Sequence, residues 1–140
     1  MISRELRAAT ALVVLATVFA ALAGCSYARI IRNRLPAPHR VEGGGVLFQY
    51  EAPAARHLNL AGNWEENGWC GTKATGRFDQ TIGVMTDENG DGIWEITVPL
   101  KPGRYLYKYV IDWGVRWETD PNNPLTGVEG GITNSLVIVR

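Results

Sequence analysis

The chain has 140 residues, 14 Lys plus Arg against 14 Asp plus Glu, and no net charge; 46% of it is hydrophobic and 20% charged. That composition suits one small domain able to bury a core of its own. Two cysteines are too few for a disulfide-stapled scaffold, so any fold must be held by its core.

Residues 1–24 read as an export signal. Arg4 and Arg7 form a basic start, and Ala8 to Gly24 is uncharged and rich in Ala, Val and Leu. Those 17 residues fall short of the roughly 20 that span a bilayer. Leu22-Ala23-Gly24-Cys25 resembles a bacterial lipobox, which makes Cys25 the expected lipidation site and the new N-terminus. A transmembrane anchor or a plain cleaved signal are the alternatives. The expected location is therefore the bacterial cell envelope, lipid-anchored to a membrane, and Ser26 is compatible with an outer membrane where the host has one. With Cys25 acylated, Cys70 has no internal disulfide partner; a buried structural thiol is expected, or pairing to a second chain.

Residues 25–45 read as a tether. Between Ser26 and Arg40, Arg29, Arg32, Arg34 and Arg40 occur without an acid, which suits anionic headgroups at about 1 kcal/mol per charge, or a solvated spacer. Pro36, Pro38 and Gly43-Gly44-Gly45 then mark a linker into the domain at 46–140. From Val41 onward acids exceed Lys plus Arg by 13 to 8, so the domain lacks the basic patch that phosphate binding needs, and nucleic acid is not expected as a partner.

From Val46 the pattern has period two. Val46, Phe48 and Tyr50 alternate with Leu47, Gln49 and Glu51; Leu58 and Leu60 with His57 and Asn59; Trp94, Ile96 and Val98 with Ile93, Glu95 and Thr97. Tyr105, Tyr107, Tyr109 and Ile111 form one face of the next strand, the expected core face, and Leu106, Lys108 and Val110 the other. Pro102-Gly103 predicts a type II turn joining the Trp94 and Tyr105 strands as a hairpin. Asp120-Pro121-Asn122-Asn123-Pro124 is a strong turn, and Leu136 to Val139 reads as a strand covered on both sides. Gly68 to Gly83 is long and poorly patterned, as a mobile or functional loop would be. Short strands between Gly, Pro, Asn and Asp clusters predict an all-β, immunoglobulin-like antiparallel β-sandwich.

Chemistry-bearing motifs are sparse. Asp87-Glu88-Asn89-Gly90-Asp91-Gly92 begins like a calcium loop, but the twelfth position is Val98, so glycine-rich turn geometry explains it and no metal or other cofactor is expected. His39 and His57 lie near no nucleophile motif, and the nearby carboxylate pairs have no deep cleft to work in, so no catalytic residue and no enzyme activity are expected. Trp94 alternates with aliphatics and reads as core. Trp64, Trp69, Trp113 and Trp117 lie in Gly-, Asn- and Asp-rich segments; they cap the sandwich ends or form a recognition surface.

Taken in order, Val46-x-Phe48-x-Tyr50-x-Ala52-Pro53, Leu60-Ala61-Gly62, Gly92-x-Trp94, Pro102-Gly103-x-Tyr105-x-Tyr107-Lys108-Tyr109-Val110-Ile111-Asp112, Trp117-x-x-Asp120-Pro121 and Asn134-Ser135 resemble the family-48 carbohydrate-binding modules. That family includes the glycogen-binding domain of AMP-activated kinase β subunits and the N-terminal domains of branching and debranching enzymes. The resemblance implies an early-set immunoglobulin-like sandwich with α-glucan on an open sheet face, where Lys108, Trp117 and Asn134 match the family's lysine, tryptophan and asparagine. The usual Gly-x-Phe-Asn-x-Trp segment reads Gly62-Asn63-Trp64-Glu65-Glu66-Asn67-Gly68-Trp69, so the second tryptophan is Trp69 or has no equivalent. The family's tight turn is lengthened to Asp112-Trp113-Gly114-Val115-Arg116-Trp117. The resulting expectation is a non-catalytic module binding α-glucan or a related polysaccharide at millimolar to about ten micromolar affinity. The alternative is a protein-interaction module of the same fold.

Overall fold

Apolar residues at every second position sort the chain into two antiparallel sheets; the computed structural model describes residues 35–140. The expected export signal, Cys25, Arg29, Arg32 and Arg34 lie outside the described residues. The elements are β1 (His39–Arg40), β2 (Val46–Glu51), β3 (Leu58–Gly62), α1 (Thr72–Thr75), β4 (Ile93–Val98), β5 (Gly103–Ile111), β6 (Arg116–Glu118), β7 (Thr126–Glu129) and β8 (Ile132–Val139). One sheet runs β1-β2-β4 and the other β3-β5-β8-β7, with β6 also on β5. The expected antiparallel sandwich is the observed one.

Between the sheets lie Val46 and Phe48 of β2, Leu58 and Leu60 of β3, Tyr107, Tyr109 and Ile111 of β5, and Val137 and Val139 of β8, with Trp94, Ile96 and Val98 of β4 against them. The tyrosine face of β5 is core, as its period predicts. Buried phenols need acceptors. Tyr107 Oη donates to Asp120 Oδ2 at 2.7 Å, and Tyr109 Oη to the Gln49 carbonyl at 2.9 Å. Asn123 Nδ2 donates to Tyr107 Oη and the Leu136 carbonyl, and the Asp120 N–H donates to Ser135 Oγ. The turn at Asp120 is thus a buried polar knot as well as a chain reversal.

Burial, reinforced by the Asp120 charge, raises the Tyr107 and Tyr109 hydroxyls well above their usual 10.0. Their folded pKa values exceed the unfolded ones, so the contribution is complete below pH 10 and is lost as pH rises beyond it. Urea unfolding from pH 9 to 12 is expected to show stability falling above pH 10 by about 1.4 kcal/mol per pH unit for each tyrosine. Tyr107→Phe should reduce that slope by one tyrosine's share; an unchanged slope would refute the assignment.

Three local expectations are corrected. β4 and β5 do not form a hairpin: β4 pairs with β2 in one sheet and β5 with β3 and β8 in the other. Gly103 does not adopt the positive φ of a type II turn; it is already in β5, opposite Val139, and Pro102-Gly103 lies on a crossover between sheets. The expected linker contributes to the sandwich, since His39 and Arg40 pair with Leu47 and Val46 and the Gly43-Gly44-Gly45 turn, all at positive φ, folds them back. The sandwich therefore takes in residues before Val46. Finally, β8 is not covered throughout: Val137 and Val139 are core, whereas Ile138 is exposed on the outer face.

Asp87 to Gly92 forms the glycine-rich turn predicted for it, with Gly90 and Gly92 at positive φ and Asp87 Oδ2 accepting from the Gly92 N–H. The segment before it bridges the sheets, Val84 pairing with Asn59 and Thr86 with Glu95.

Candidate functional site

The outer face of the larger sheet carries the site, and strand register builds it. Facing Tyr107 inward sends Lys108 and Val110 outward. Ala61 pairs with Lys108, Trp117 with Val110, and Leu136, two residues past Asn134, with Leu106, which puts Ala61, Trp117 and Asn134 on that same face. β8 pairs with the first half of β5 and β6 with the second half, both on the edge opposite β3. Asn134 and Trp117 consequently flank Lys108 along one edge.

The long segment after β3 supplies the missing wall. Asn67 is buried, and its Oδ1 accepts from the N–H groups of Gly62 and Cys70, both at 2.8 Å, while Nδ2 donates to the Leu60 carbonyl at 2.7 Å. These bonds hold Trp69 and Cys70 at φ 58° and 52°, conformations that cost an L-residue roughly 1–2 kcal/mol each. Cys70, Phe78 and Ile82 then pack with Trp69 and Trp117 over Ala61 and Val110. Cys70 is a buried free thiol, as expected; burial and then the Asp79 charge push its pKa to about 12. The segment is therefore a packed flap that places Trp69.

Between this flap and the β7–β8 hairpin lies a groove of about 390 Å³. Lys108 and Asn134 lie in it with Trp69 and Trp117, and Thr72, Glu129, Gly130 and Ile132 complete it. Trp117 meets Phe78 edge to face at 5.9 Å, and Trp69 Nε1 donates to Glu129 Oε2 at 2.7 Å. Asn134 Nδ2 donates to the Ile132 carbonyl at 2.9 Å. Two indoles beside an ammonium and an amide present an apolar surface edged by polar groups, the arrangement that suits a pyranose C–H face and its hydroxyls.

Four of the six aromatic, lysine and asparagine candidates thus converge: Lys108, Trp117, Asn134 and Trp69. Trp64 does not join them. It is 7% exposed in the core, stacked 6.2 Å from Phe48, and its ring covers Gly62 so closely that any Cβ there would collide with it. Trp113 also lies elsewhere, 49% exposed and stacked on His57 at 5.4 Å and 3°. Glu129 and Ile132 were missed, although their signal was present: Gly130 and Gly131, at φ 58° and 79°, form a two-residue hairpin turn that sets them opposite each other on the face of Asn134. Thr72, whose Oγ1 donates to the Trp69 carbonyl, had no sequence signal. Among the described residues no group of three His, Cys, Asp or Glu is placed to hold a metal.

No family model matches the chain. Curated relatives do: it is 35% identical over 89 residues to the 1,4-alpha-glucan branching enzyme GlgB of Bacillus caldolyticus, covering 59% of this chain and 12% of the enzyme. The GlgB of Methylococcus capsulatus is 37% identical over 76 residues (53% and 9%), and that of Nitrosomonas eutropha 31% over 108 (65% and 13%). The chain spans only 9% to 13% of these relatives' lengths.

Proposed function

We propose that this sandwich binds an α-glucan, or a related polysaccharide, in the groove between the flap and the β7–β8 hairpin, without catalysing a reaction on it. The observation that carries this reading is the meeting of Lys108, Trp117, Trp69 and Asn134, from four separate segments, in one groove. The similarity to part of the branching enzymes supports the same ligand class. In this reading the indoles stack on sugar rings, Lys108 donates to ring hydroxyls, and Asn134 orients one of them. Acylated Cys25 holds the module on the membrane of a bacterial envelope, where many copies compensate weak single-site binding.

Retardation in gels containing glycogen or starch tests the ligand. Wild type is expected to be retarded, and Trp117→Ala and Lys108→Ala each to weaken retention by roughly tenfold with the fold intact. Retention equal to wild type in both variants would refute the site. Cys25→Ala is expected to release the protein from membranes into the soluble fraction; continued retention would point to a true membrane span.

The protein-interaction alternative draws support from the lengthened turn, where Trp113 and Val115 stand exposed outside the groove. It predicts no retardation by any polysaccharide.

A further inference from the structure

We propose that Glu129 is the positioning residue of the groove: its carboxylate orients the Trp69 ring for stacking and makes the groove selective for an uncharged glycan. This rests on the glucan reading above. Trp69 belongs to no strand or helix, so its ring direction must come from a tertiary contact. Beside the ring's packing against the Ala61, Cys70 and Val110 cluster, the directional contact is the Nε1–H bond to Glu129 Oε2 at 2.7 Å, which joins positions 60 residues apart. An ionised acceptor makes such a bond shorter and stronger than a neutral one.

Glu129 is exposed, but the backbone that carries it is held. Glu129 ends β7, paired with Ile132 across the Gly130-Gly131 turn, so a hairpin and not a second loop anchors the indole. Ordering the ring before ligand arrives removes part of the cost of immobilising it on binding. The groove is also charge-balanced, because Lys108 and Glu129 are the charged side chains that line it. A neutral pyranose meets donors and acceptors there, whereas a uronate or sulfate near the rim meets a carboxylate of like sign.

The test uses the full-length chain with Glu129→Ala and Glu129→Gln, read by the Trp69 indole N–H resonance and by retardation on glycogen and on carboxymethyl-amylose. Glu129→Ala should move the resonance, speed its exchange with water, and weaken glycogen retention roughly five- to tenfold. Glu129→Gln keeps an oxygen for the indole N–H; it should hold glycogen retention within about twofold of wild type and gain retention on carboxymethyl-amylose. An unmoved resonance, undiminished retention in Glu129→Ala, or a Gln variant that neither restores glycogen binding nor gains the anionic polymer overturns the inference. If wild type ignores glycogen while the resonance responds, the glucan reading itself falls, and this role with it.

Discussion

Replacing Asp120 with alanine is expected to destabilise the sandwich by about 3–5 kcal/mol, the largest single effect among the described residues outside the apolar core. Asp120 is buried, and its carboxylate accepts from Tyr107 Oη at 2.7 Å, from the Asn122 N–H at 2.8 Å and, more weakly, from Tyr109 Oη at 3.4 Å. Alanine leaves the Tyr107 hydroxyl with a donor, Asn123, and no acceptor, deep between the sheets. A melting temperature lower by about 15–30 °C should accompany the loss. Asp120→Asn keeps an oxygen in place and should cost about half as much. A urea titration putting Asp120→Ala within about 1 kcal/mol of wild type would show that the knot is not what joins these segments. The Asp120 N–H bond to Ser135 Oγ, which alanine keeps, still ties the chain leaving β6 to the residue beside Asn134.

The second large effect is expected at Asn67. Two of its three bonds hold the flap to β3, at Gly62 and Leu60, and the third fixes Cys70 within the flap. Asn67→Ala should cost about 3 kcal/mol and leave the buried Gly62 and Cys70 N–H groups without that acceptor. With Trp69 and Cys70 at positive φ, the flap has a less strained conformation to relax into, so Trp69 should leave the groove. Glucan retention should therefore fall in a domain that is still folded at moderate temperature. Asn67→Asp retains the acceptor and loses the donor to the Leu60 carbonyl, and should fall between the two. If Asn67→Ala loses stability yet retains glycogen like wild type, the flap does not place a binding residue.

Much of this was legible in the chain itself. The alternation from Tyr105 to Ile111 assigned both faces of β5 correctly, because a strand with one wet and one dry side has only one register that buries its apolar set. Lys108 on the outer face followed from that assignment alone. Trp64 was misplaced because its Asn- and Glu-rich neighbours look like loop; what buries it is the bare Cα of Gly62, which leaves its ring room against Phe48. The β4–β5 connection was misread because Pro-Gly permits a tight hairpin without requiring one, and the pairing of β4 with β2 decided against it. Trp113 differs again: the sequence showed that its turn is lengthened, but not that His57 would take one face of its ring.

By itself, then, the sequence determined an antiparallel sandwich and the inward and outward sides of its strands, with Lys108 outward. These follow from period-two burial and local turn chemistry, which act over a few residues. Only the tertiary structure decided which tryptophans share the groove, that the irregular segment after β3 is a packed flap, and that the Trp69 indole donates to Glu129. Those outcomes depend on contacts between positions far apart in the chain, set by strand order and by buried side-chain hydrogen bonds, and no local pattern carries that information.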